Sequence, residues 1–212
     1  MNEKFFDLKK EKQDRMINAA LKVFALNGYR HASTDDIVRE AAISKGLLFH
    51  YFENKLGVYA FVYDYSVWYL LLELSTAVDA KETDLFTLMQ QVETGKMHAM
   101  CGYPYLQPFL NRAQAENVNE ALVAVEERKQ QMEEAYENIY ARADLGKYAA
   151  AEDVMKLRKM MELTIKGLMN ERILEDAFQP EMLYEEILEY LQLSRRLAER
   201  SGQPSDEEIT EK

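Results

Sequence analysis

The chain has 212 residues, of which 48% are hydrophobic, and its 37 acidic and 26 basic side chains give a net charge of −11. This length and apolar content suffice for a globular protein with a sizeable core, and they exclude a chain that is disordered throughout. The single cysteine, Cys101, excludes an intrachain disulfide and a cysteine metal cluster. The N-terminal residues lack the pattern of a secretion signal, and no apolar run approaches the ~20 residues of a membrane span. We therefore expect a soluble cytoplasmic protein, and the acidic total taken alone argues against nucleic acid.

The composition predicts an all-α protein of about nine helices. Ala, Leu and Glu far outnumber Val, Ile and Thr, and the chain holds only 8 glycines and 4 prolines. No stretch shows sustained period-2 alternation or a hairpin turn. The predicted helices cover about residues 7–26, 34–41, 45–51, 55–78, 84–97, a short segment within 105–115, 119–142, 152–173 and 180–200. Asn27-Gly28 is predicted to end the first of them.

The most informative stretch runs from Gly28 to Lys55. Ser33 is predicted to N-cap a first short helix, with Asp36 as the reciprocal acceptor three residues on, and Ser44 is predicted to cap a second one. Two short helices joined by a turn of a few residues form a helix-turn-helix, whose second helix enters the DNA major groove.

The second of these helices carries side chains suited to DNA. Leu48 and Phe52 can face the core, which leaves Leu47, Phe49 and Tyr51 near the surface, where an apolar side chain can meet a thymine methyl. Lysine and tyrosine can reach phosphates, and a glycine permits close approach. The candidate DNA-binding residues are Ser33, Thr34, Ser44, Lys45, Gly46, Leu47, Phe49, His50, Tyr51 and Lys55.

This stretch resembles the tetracycline-repressor (TetR) type of transcriptional regulator. The ordered family pattern appears as FALNGY at 24–29, ST at 33–34, AAIS at 41–44, KGLLFHYF at 45–52 and K at 55. The resemblance implies a bacterial repressor with an N-terminal three-helix domain for operator DNA and a larger helical domain for an effector and for dimerisation. The predicted division is a DNA-binding domain over 1–54, an effector-binding and dimerisation domain over 55–200, and a disordered acidic tail over 201–212.

Two residues depart from the family pattern. Ala42 stands in the turn where glycine is usual, and a positive φ there would strain an alanine by roughly 1 kcal/mol. Phe49 stands where tyrosine is usual, so it lacks the hydroxyl for a phosphate contact, which Tyr51 or His50 can supply instead. An alternative is therefore a helical small-molecule-binding or protein-interaction module that has lost specific DNA binding.

The net negative charge argues against binding to nucleic acid only if it is spread over the whole chain, and it is not. Residues 1–60 hold 10 basic and 8 acidic side chains, a net of +2, so the rest of the chain carries a net of −13. The acidity is therefore predicted to lie away from the DNA-binding domain.

Aromatic and methionine-rich segments favour a small-molecule cavity in the second domain. Six of the eleven residues from Tyr59 to Tyr69 are aromatic, and residues 97–109 mix methionines, aromatics, a histidine and two prolines. Aromatics at helical spacing are more often core, but flexible methionines beside a few polar groups suit a ligand. The resemblance implies an effector site among the middle helices, and we expect a small apolar or aromatic effector. The candidate ligand-binding residues are Trp68, Met97, Met100, Tyr103, Tyr105 and Phe109.

The last two predicted helices carry apolar residues on wider faces than one buried stripe needs. The resemblance implies a four-helix bundle with a two-fold mate, and such a homodimer would present two recognition helices about 34 Å apart, one turn of DNA, or a multiple of that distance. The candidate interface residues are Leu157, Met161, Leu168, Leu183, Ile187, Tyr190 and Leu191.

Catalysis is not predicted. His98 and Cys101 lie three residues apart, but a nucleophile pair also needs an orienting group and an oxyanion site. No Gly-rich phosphate loop, nucleophile elbow or His-Glu-x-x-His motif occurs. We expect no enzyme activity, no metal site and no cofactor.

Overall fold

The computed structural model describes residues 3–148, 150–174 and 178–200, apart from the side chains of Glu3 and Arg200. Within these residues it contains ten α-helices, one short 3-10 turn and no strand, so the all-α prediction is confirmed. The predicted acidic tail lies outside the described residues. The helices are α1 (Glu3–Phe6), α2 (Lys10–His31), α3 (Thr34–Glu40), α4 (Lys45–Phe52), α5 (Lys55–Ala77), α6 (Leu85–Gly102), α7 (Leu106–Gln114), α8 (Asn119–Tyr140), α9 (Ala151–Arg172) and α10 (Pro180–Arg200).

Short polar side chains begin four of the helices. The side chains of Ser33, Ser44, Asn54 and Asp84 each accept a hydrogen bond from a backbone N–H of the first turn of the helix that follows. These bonds satisfy donors that have no partner inside the helix. The boundaries of α3 to α6 are therefore set by local sequence.

The first long helix is interrupted at Gly28, as predicted. This residue has φ +68° and ψ 174°, which is not helical, so the helix that begins at Lys10 ends there in a kink, and a second helical stretch continues to His31 within the bounds of α2. The Arg112 Nε atom of α7 lies 3.1 Å from the position that a Cβ would occupy at Gly28. Glycine therefore provides both the positive φ and the space for a close approach by Arg112.

The additional helix, α1, carries a phenylalanine that is fully buried. The ring of Phe5 lies 5.3 Å from that of Phe52 and 4.8 Å from that of Phe61, between centroids, and its edge meets Tyr51 at 5.8 Å. The segment before α2 thus packs beneath α4, and the sequence did not predict this helix.

The hydrophobic core divides into two clusters. The larger one draws on all helices from α1 to α8, and the rings of Phe24, Tyr59 and Phe109 meet in it at centroid distances of 5.0 to 6.0 Å. The smaller one joins α6, α9 and α10. Because the larger core is continuous across residue 54, the domain division at that point stays a prediction.

Among the residues described, none of the helices combines the length and apolarity needed to cross a membrane.

Candidate functional site

Helices α3 and α4 form the predicted helix-turn-helix. Ile37, Ala41 and Leu48 are fully buried between the two helices and the core, and Ile43 of the turn is half-buried against the same core. The Ser33 Oγ accepts from the Asp35 N–H at 3.1 Å, and the Ser44 Oγ accepts from the Leu47 N–H at 3.2 Å. Both predicted caps are confirmed.

One detail of the first cap differs from the prediction. Asp36 does not serve as the reciprocal acceptor, because its carboxylate pairs with Arg39 one turn further along α3. The Ser33 bond alone caps this helix end.

The turn between the helices is a Schellman motif with Ala42 in the left-handed position. Ala42 has φ +50°; its N–H donates to the Arg39 carbonyl at 3.2 Å, and the Ile43 N–H donates to the Val38 carbonyl at 3.0 Å. Glycine is usual at this position because it has no Cβ to clash. The conditional expectation of a positive φ at Ala42 is therefore met.

The outer face of α4 presents Lys45, Gly46 and His50 to solvent, with Leu47 and Phe49 half-buried beside them. A Cβ at Gly46 would meet no atom within 4 Å, so this part of the helix leaves room for close approach. Because the Cβ position is open and a cation stands next to it, this face suits the floor of a DNA groove.

The ammonium of Lys45 lies 2.8 Å from the Asp35 carboxylate at the start of α3. Both side chains are at least half exposed. Exposed ion pairs of this kind contribute about 0–1 kcal/mol, so phosphate can replace the carboxylate at little cost.

Lys55 occupies a different environment from the one that a phosphate contact requires. Its Nζ donates to the Tyr29 carbonyl at 2.8 Å, lies 3.4 Å from the carbonyl oxygens of Arg30 and Ala32, and stands 4.4 Å from the centroid of the Tyr29 ring. The ammonium thus ties the start of α5 to the end of α2. A direct phosphate contact by Lys55 stays a prediction.

A cavity of about 220 Å³ lies between α6, α7, α8 and α9. Polar residues are the more numerous in its lining, but apolar atoms contribute more of its surface, and Met89, Ile165 and Met169 are its apolar residues. The polar lining consists of Glu93, Lys96, Gln107, Asn111, Gln114, Tyr136, Tyr140, Arg158, Glu162 and Lys166.

The six candidate ligand residues do not line this cavity. Met100 and Phe109 are buried in the two core clusters, and Met97 lies beside the Cys101 Sγ. Trp68 is half exposed on α5, and Tyr105 borders a groove next to α2.

Tyr103 belongs to a network that joins α2, α5 and the link between α6 and α7. Its hydroxyl donates to Asp14 Oδ1 at 2.6 Å, and it lies 2.7 Å from the Tyr65 hydroxyl and 3.1 Å from the Lys10 Nζ. Burial and the contacts with Asp14 and Tyr65 raise the pKa of Tyr103, so its hydroxyl remains a donor. This tyrosine therefore fixes helix packing.

Most of the predicted interface residues are already buried within a single protomer. Met161, Leu183, Ile187 and Leu191 are buried where α9 and α10 pack against each other and against α6, while Leu157 and Leu168 are half-buried. Tyr190 is exposed. A second apolar stripe lies on the opposite faces of α9 and α10, in line with the wider apolar faces that the sequence indicates, and it is formed by Met160, Leu163, Met182, Tyr190, Leu193 and Leu197.

His98 and Cys101 do not form a nucleophile pair. The His98 Nδ1 lies 3.9 Å from Glu73, and the Cys101 Sγ donates to a Glu181 carboxylate at 3.3 Å. Burial and the neighbouring carboxylates raise the pKa of the Cys101 thiol to about 11, so the thiol stays protonated at neutral pH.

The chain was compared with known proteins. Residues 16–60 match the family model of bacterial regulatory proteins, tetR family. YuxN of Bacillus subtilis (strain 168), an uncharacterized HTH-type transcriptional regulator, is 36% identical over 78 residues, which are 35% of this chain and 26% of YuxN. TtgW of Pseudomonas putida, also an uncharacterized HTH-type transcriptional regulator, is 41% identical over 49 residues, which are 23% of this chain and 37% of TtgW. The chain thus spans well under half the length of either relative.

Solved structures share the fold over nearly the whole chain. A tetR family transcription regulator from Shewanella sp. PV-4 has a TM-score of 0.56 at 14% identity and covers 91% of this chain and 98% of its own. A TetR family transcriptional regulator from Chloroflexus aurantiacus J-10-FL has a TM-score of 0.55 at 24% identity, with 93% of each chain covered. Residues 16–60, which contain the helix-turn-helix, are thus similar to the tetR family of bacterial regulatory proteins, and the chain shares the fold of these solved regulators.

Proposed function

We propose that the protein is a homodimeric repressor that binds a palindromic operator through α4 and releases it when a small molecule occupies the cavity. The observation that carries the DNA-binding part is the exposed face of α4, capped by Ser44 and held at a fixed angle by the Ala42 turn. Lys45, Leu47 and His50 would contact base edges. The remaining candidates, Ser33, Thr34, Ser44, Gly46, Phe49, Tyr51 and Lys55, would flank them along the backbone.

Dimerisation is supported by the apolar stripe on the outer faces of α9 and α10. Leu163 is 59% exposed and Leu193 is 46% exposed, although both lie on long helices with well-packed inner faces. Gly167 lies in the middle of α9, and a Cβ there would meet no atom within 4 Å. A helix-interior glycine costs about 1 kcal/mol relative to alanine, and close approach by a partner helix would offset that cost. We therefore propose this stripe as the subunit interface.

Ligand response is supported by the position of α7. Gln107 and Asn111 on one face of this helix line the cavity, while Phe109 and Leu110 on the other face are buried in the core shared with α2. Arg112, the next residue after Asn111, lies against Gly28 at the kink of α2. A ligand that moves α7 would thus move α2 and, with it, the helix-turn-helix.

The coupling free energy that this response requires is modest. A hundredfold loss of operator affinity corresponds to about 2.7 kcal/mol, which lies within the usual range of allosteric coupling. The protein would act by binding alone, without a catalytic step, in the cytoplasm where bacterial DNA is found.

The DNA-binding proposal is tested by fluorescence anisotropy with the DNA upstream of the protein's own gene. We expect sequence-specific binding, and we expect Leu47→Ala and His50→Ala to change the sequence preference. Leu26→Ala is the control for Leu47→Ala, because Leu26 is an exposed leucine that borders a groove beside α7, away from α4. If no specific binding occurs even at low salt, the alternative of a small-molecule-binding or protein-interaction module is favoured.

A further inference from the structure

The lining of the cavity between α6, α7, α8 and α9 carries a net charge of +1. Three of its residues are cations, Lys96, Arg158 and Lys166, and two are carboxylates, Glu93 and Glu162. The Lys96 Nζ lies 2.7 Å from Glu93 Oε1, and both side chains are largely buried. Burial lowers the pKa of Lys96, but the charge of Glu93 outweighs that effect and raises it overall, so these two form an ionised pair. The excess positive charge therefore lies on α9, which contributes two cations and one carboxylate to the lining.

The carboxylate of α9 is shared between two cations. Glu162 Oε1 accepts from the Arg158 Nε at 3.2 Å, and Glu162 Oε2 lies 3.4 Å from the Nζ of Lys159, which stands outside the lining. The Lys166 Nζ donates to the neutral Gln114 Oε1 at 3.0 Å, and it pairs with no carboxylate in the described part of the chain. This stretch of α9 thus holds three cations for one carboxylate, so a negative charge in the cavity would be favourable.

Arg158 has hydrogen-bond donors to spare. Its side chain is 23% exposed, and its Cζ stands 3.9 Å from the centroid of the Tyr140 ring. The Nε donates to Glu162, but neither terminal nitrogen donates to any residue that the structure describes. A guanidinium presents its donors in a rigid fork that matches the two oxygens of a carboxylate. Arg158 is therefore held against Tyr140 and Glu162 with two terminal nitrogens available to an acceptor from outside the chain.

The rest of the lining can hold a hydrocarbon body. Met89, Ile165 and Met169 contribute apolar side chains, and Tyr136 and Tyr140 contribute rings. Flexible methionines adapt to molecules of different shape. The volume of about 220 Å³ lies below the roughly 300–1,000 Å³ of pockets for drug-sized ligands, which limits that body to one ring or a short chain.

We propose that this cavity binds a small monoanion with an apolar body, a carboxylate on one ring or on a short hydrocarbon chain. The carboxylate would accept from the terminal nitrogens of Arg158, and the body would lie against the methionines and tyrosine rings. A monoanion would bring the net charge of the lining to zero, whereas a cation would add to the excess and a neutral molecule would leave it unchanged.

This inference rests on the proposed ligand response and specifies its effector. It adds an anionic group to the small apolar or aromatic molecule that the sequence led us to expect.

The test uses matched pairs of acid and amide, with calorimetry on the full chain without DNA at neutral pH. The pairs are benzoate with benzamide and hexanoate with hexanamide, whose members have nearly the same shape but differ in charge. We expect the anion of at least one pair to bind at least about tenfold more tightly than its amide, equivalent to about 1.4 kcal/mol. Amides that bind as tightly as their acids, or no saturable binding of either anion at millimolar concentration, would overturn the proposal.

A variant pair then locates the binding. Arg158→Gln is expected to weaken the preferred anion at least about tenfold and to change its amide much less. Lys156→Gln is the matched control, because it removes the same charge from the same helix, while Lys156 lies outside the lining and pairs with Glu152 and Asp153. Equal loss of anion binding in both variants, or equal loss of acid and amide in Arg158→Gln, would contradict the contact with Arg158. The ranking of acids and amides on the unaltered protein requires no variant to fold.

Operator release is measured separately, so the two proposals can fail independently. If an anion binds through Arg158 but leaves operator affinity unchanged, the ligand chemistry stands and the ligand response fails. If operator DNA is released by a neutral or cationic compound while neither anion binds, the response stands and the chemistry fails.

Discussion

At the scale of single residues, the turn of the helix-turn-helix holds an alanine in a left-handed conformation. Ala42 has φ +50°, and its side chain is exposed, so burial of the methyl group does not compensate for the strain. A non-glycine residue costs about 1–2 kcal/mol in this region of conformational space.

We predict that Ala42→Gly raises the free energy of unfolding by about 1 kcal/mol, because relief of the left-handed strain outweighs the extra entropy of glycine in the unfolded chain. Urea denaturation measures this change. Ala41→Gly is the control, since Ala41 is fully buried with φ −75° and should lose stability. A loss of stability in Ala42→Gly would contradict the prediction.

A second residue-scale prediction concerns Lys55, whose ammonium faces three carbonyl oxygens at the end of α2. We expect Lys55→Met to lower the free energy of unfolding by about 2 kcal/mol, the range for hydrogen bonds to charged groups. Thermal and urea denaturation provide the measurement, and unchanged stability would show that these contacts contribute little.

The same variant also tests the predicted phosphate contact. Loss of one phosphate contact reduces the slope of log affinity against log salt by about one. An unchanged slope would assign Lys55 to the link between α2 and α5 alone.

The candidate ligand residues show what the sequence cannot separate. Large aromatic and methionine side chains suit a core and a cavity equally well, and Phe109 and Met100 are buried in the core. Most residues that line the cavity, such as Glu93, Gln107 and Arg158, are polar, and the lining comes from four helices. Polar residues at helical spacing look like a solvated surface in the sequence, and only the packing of α6, α7, α8 and α9 brings them together.

At the scale of secondary-structure elements, the predicted helices agree with the structure where local signals are strong. Serine and aspartate commonly cap helices, so such residues can be recognised in the sequence. Helices α3, α4 and α6 begin directly after Ser33, Ser44 and Asp84. The inward faces of α9 and α10 were not predictable, because each helix carries two apolar stripes. Tertiary packing decides which stripe is buried against α6.

Asp84 connects two elements and gives a pH-dependent prediction. Its Oδ1 accepts from the Thr87 N–H at 2.9 Å and from the Arg195 guanidinium of α10 at 2.6 Å. Burial raises the pKa of Asp84, but the hydrogen bonds from Thr87 and the charge of Arg195 outweigh that effect and lower it overall. A carboxyl with a lowered pKa contributes stability above its unfolded value, about 3.9, and loses it as the pH falls through the folded value.

We therefore expect Asp84→Asn to lower the free energy of unfolding by about 1 kcal/mol at pH 7, and the difference from the unaltered protein to narrow below about pH 4. Urea denaturation across this pH range measures it. Asp153→Asn is the control, because Asp153 pairs with the exposed side chain of Lys156 on the same helix. A difference that stays constant down to acid pH would contradict the role of the ionised Asp84.

At the scale of the whole molecule, the slightly basic first part of the chain is distinct from the acidic part that carries the exposed apolar stripe of α9 and α10. The first 60 residues carry a net charge of +2 and the remainder −13, so non-specific attraction to DNA is weak. Operator binding by the proposed dimer then depends on the spacing of two recognition helices more than on charge.

We predict that Leu163→Glu combined with Leu193→Glu yields a monomer, because two charges would be buried in the proposed interface. Light scattering should give a mass near 24.7 kDa, and operator affinity should fall at least about tenfold. Val123→Glu is the control, since Val123 is exposed on α8 outside the stripe. A double variant that keeps the dimer mass would place the interface elsewhere.

The burial of Phe5 beneath α4 has a practical consequence for experiments with fragments. The family match begins at residue 16, so a fragment cut to the matched segment would retain every residue of the helix-turn-helix and still lose the ring that packs on Tyr51 and Phe52. Any minimal DNA-binding fragment of this protein should therefore start before α1, and an affinity tag is better attached at the opposite end of the chain.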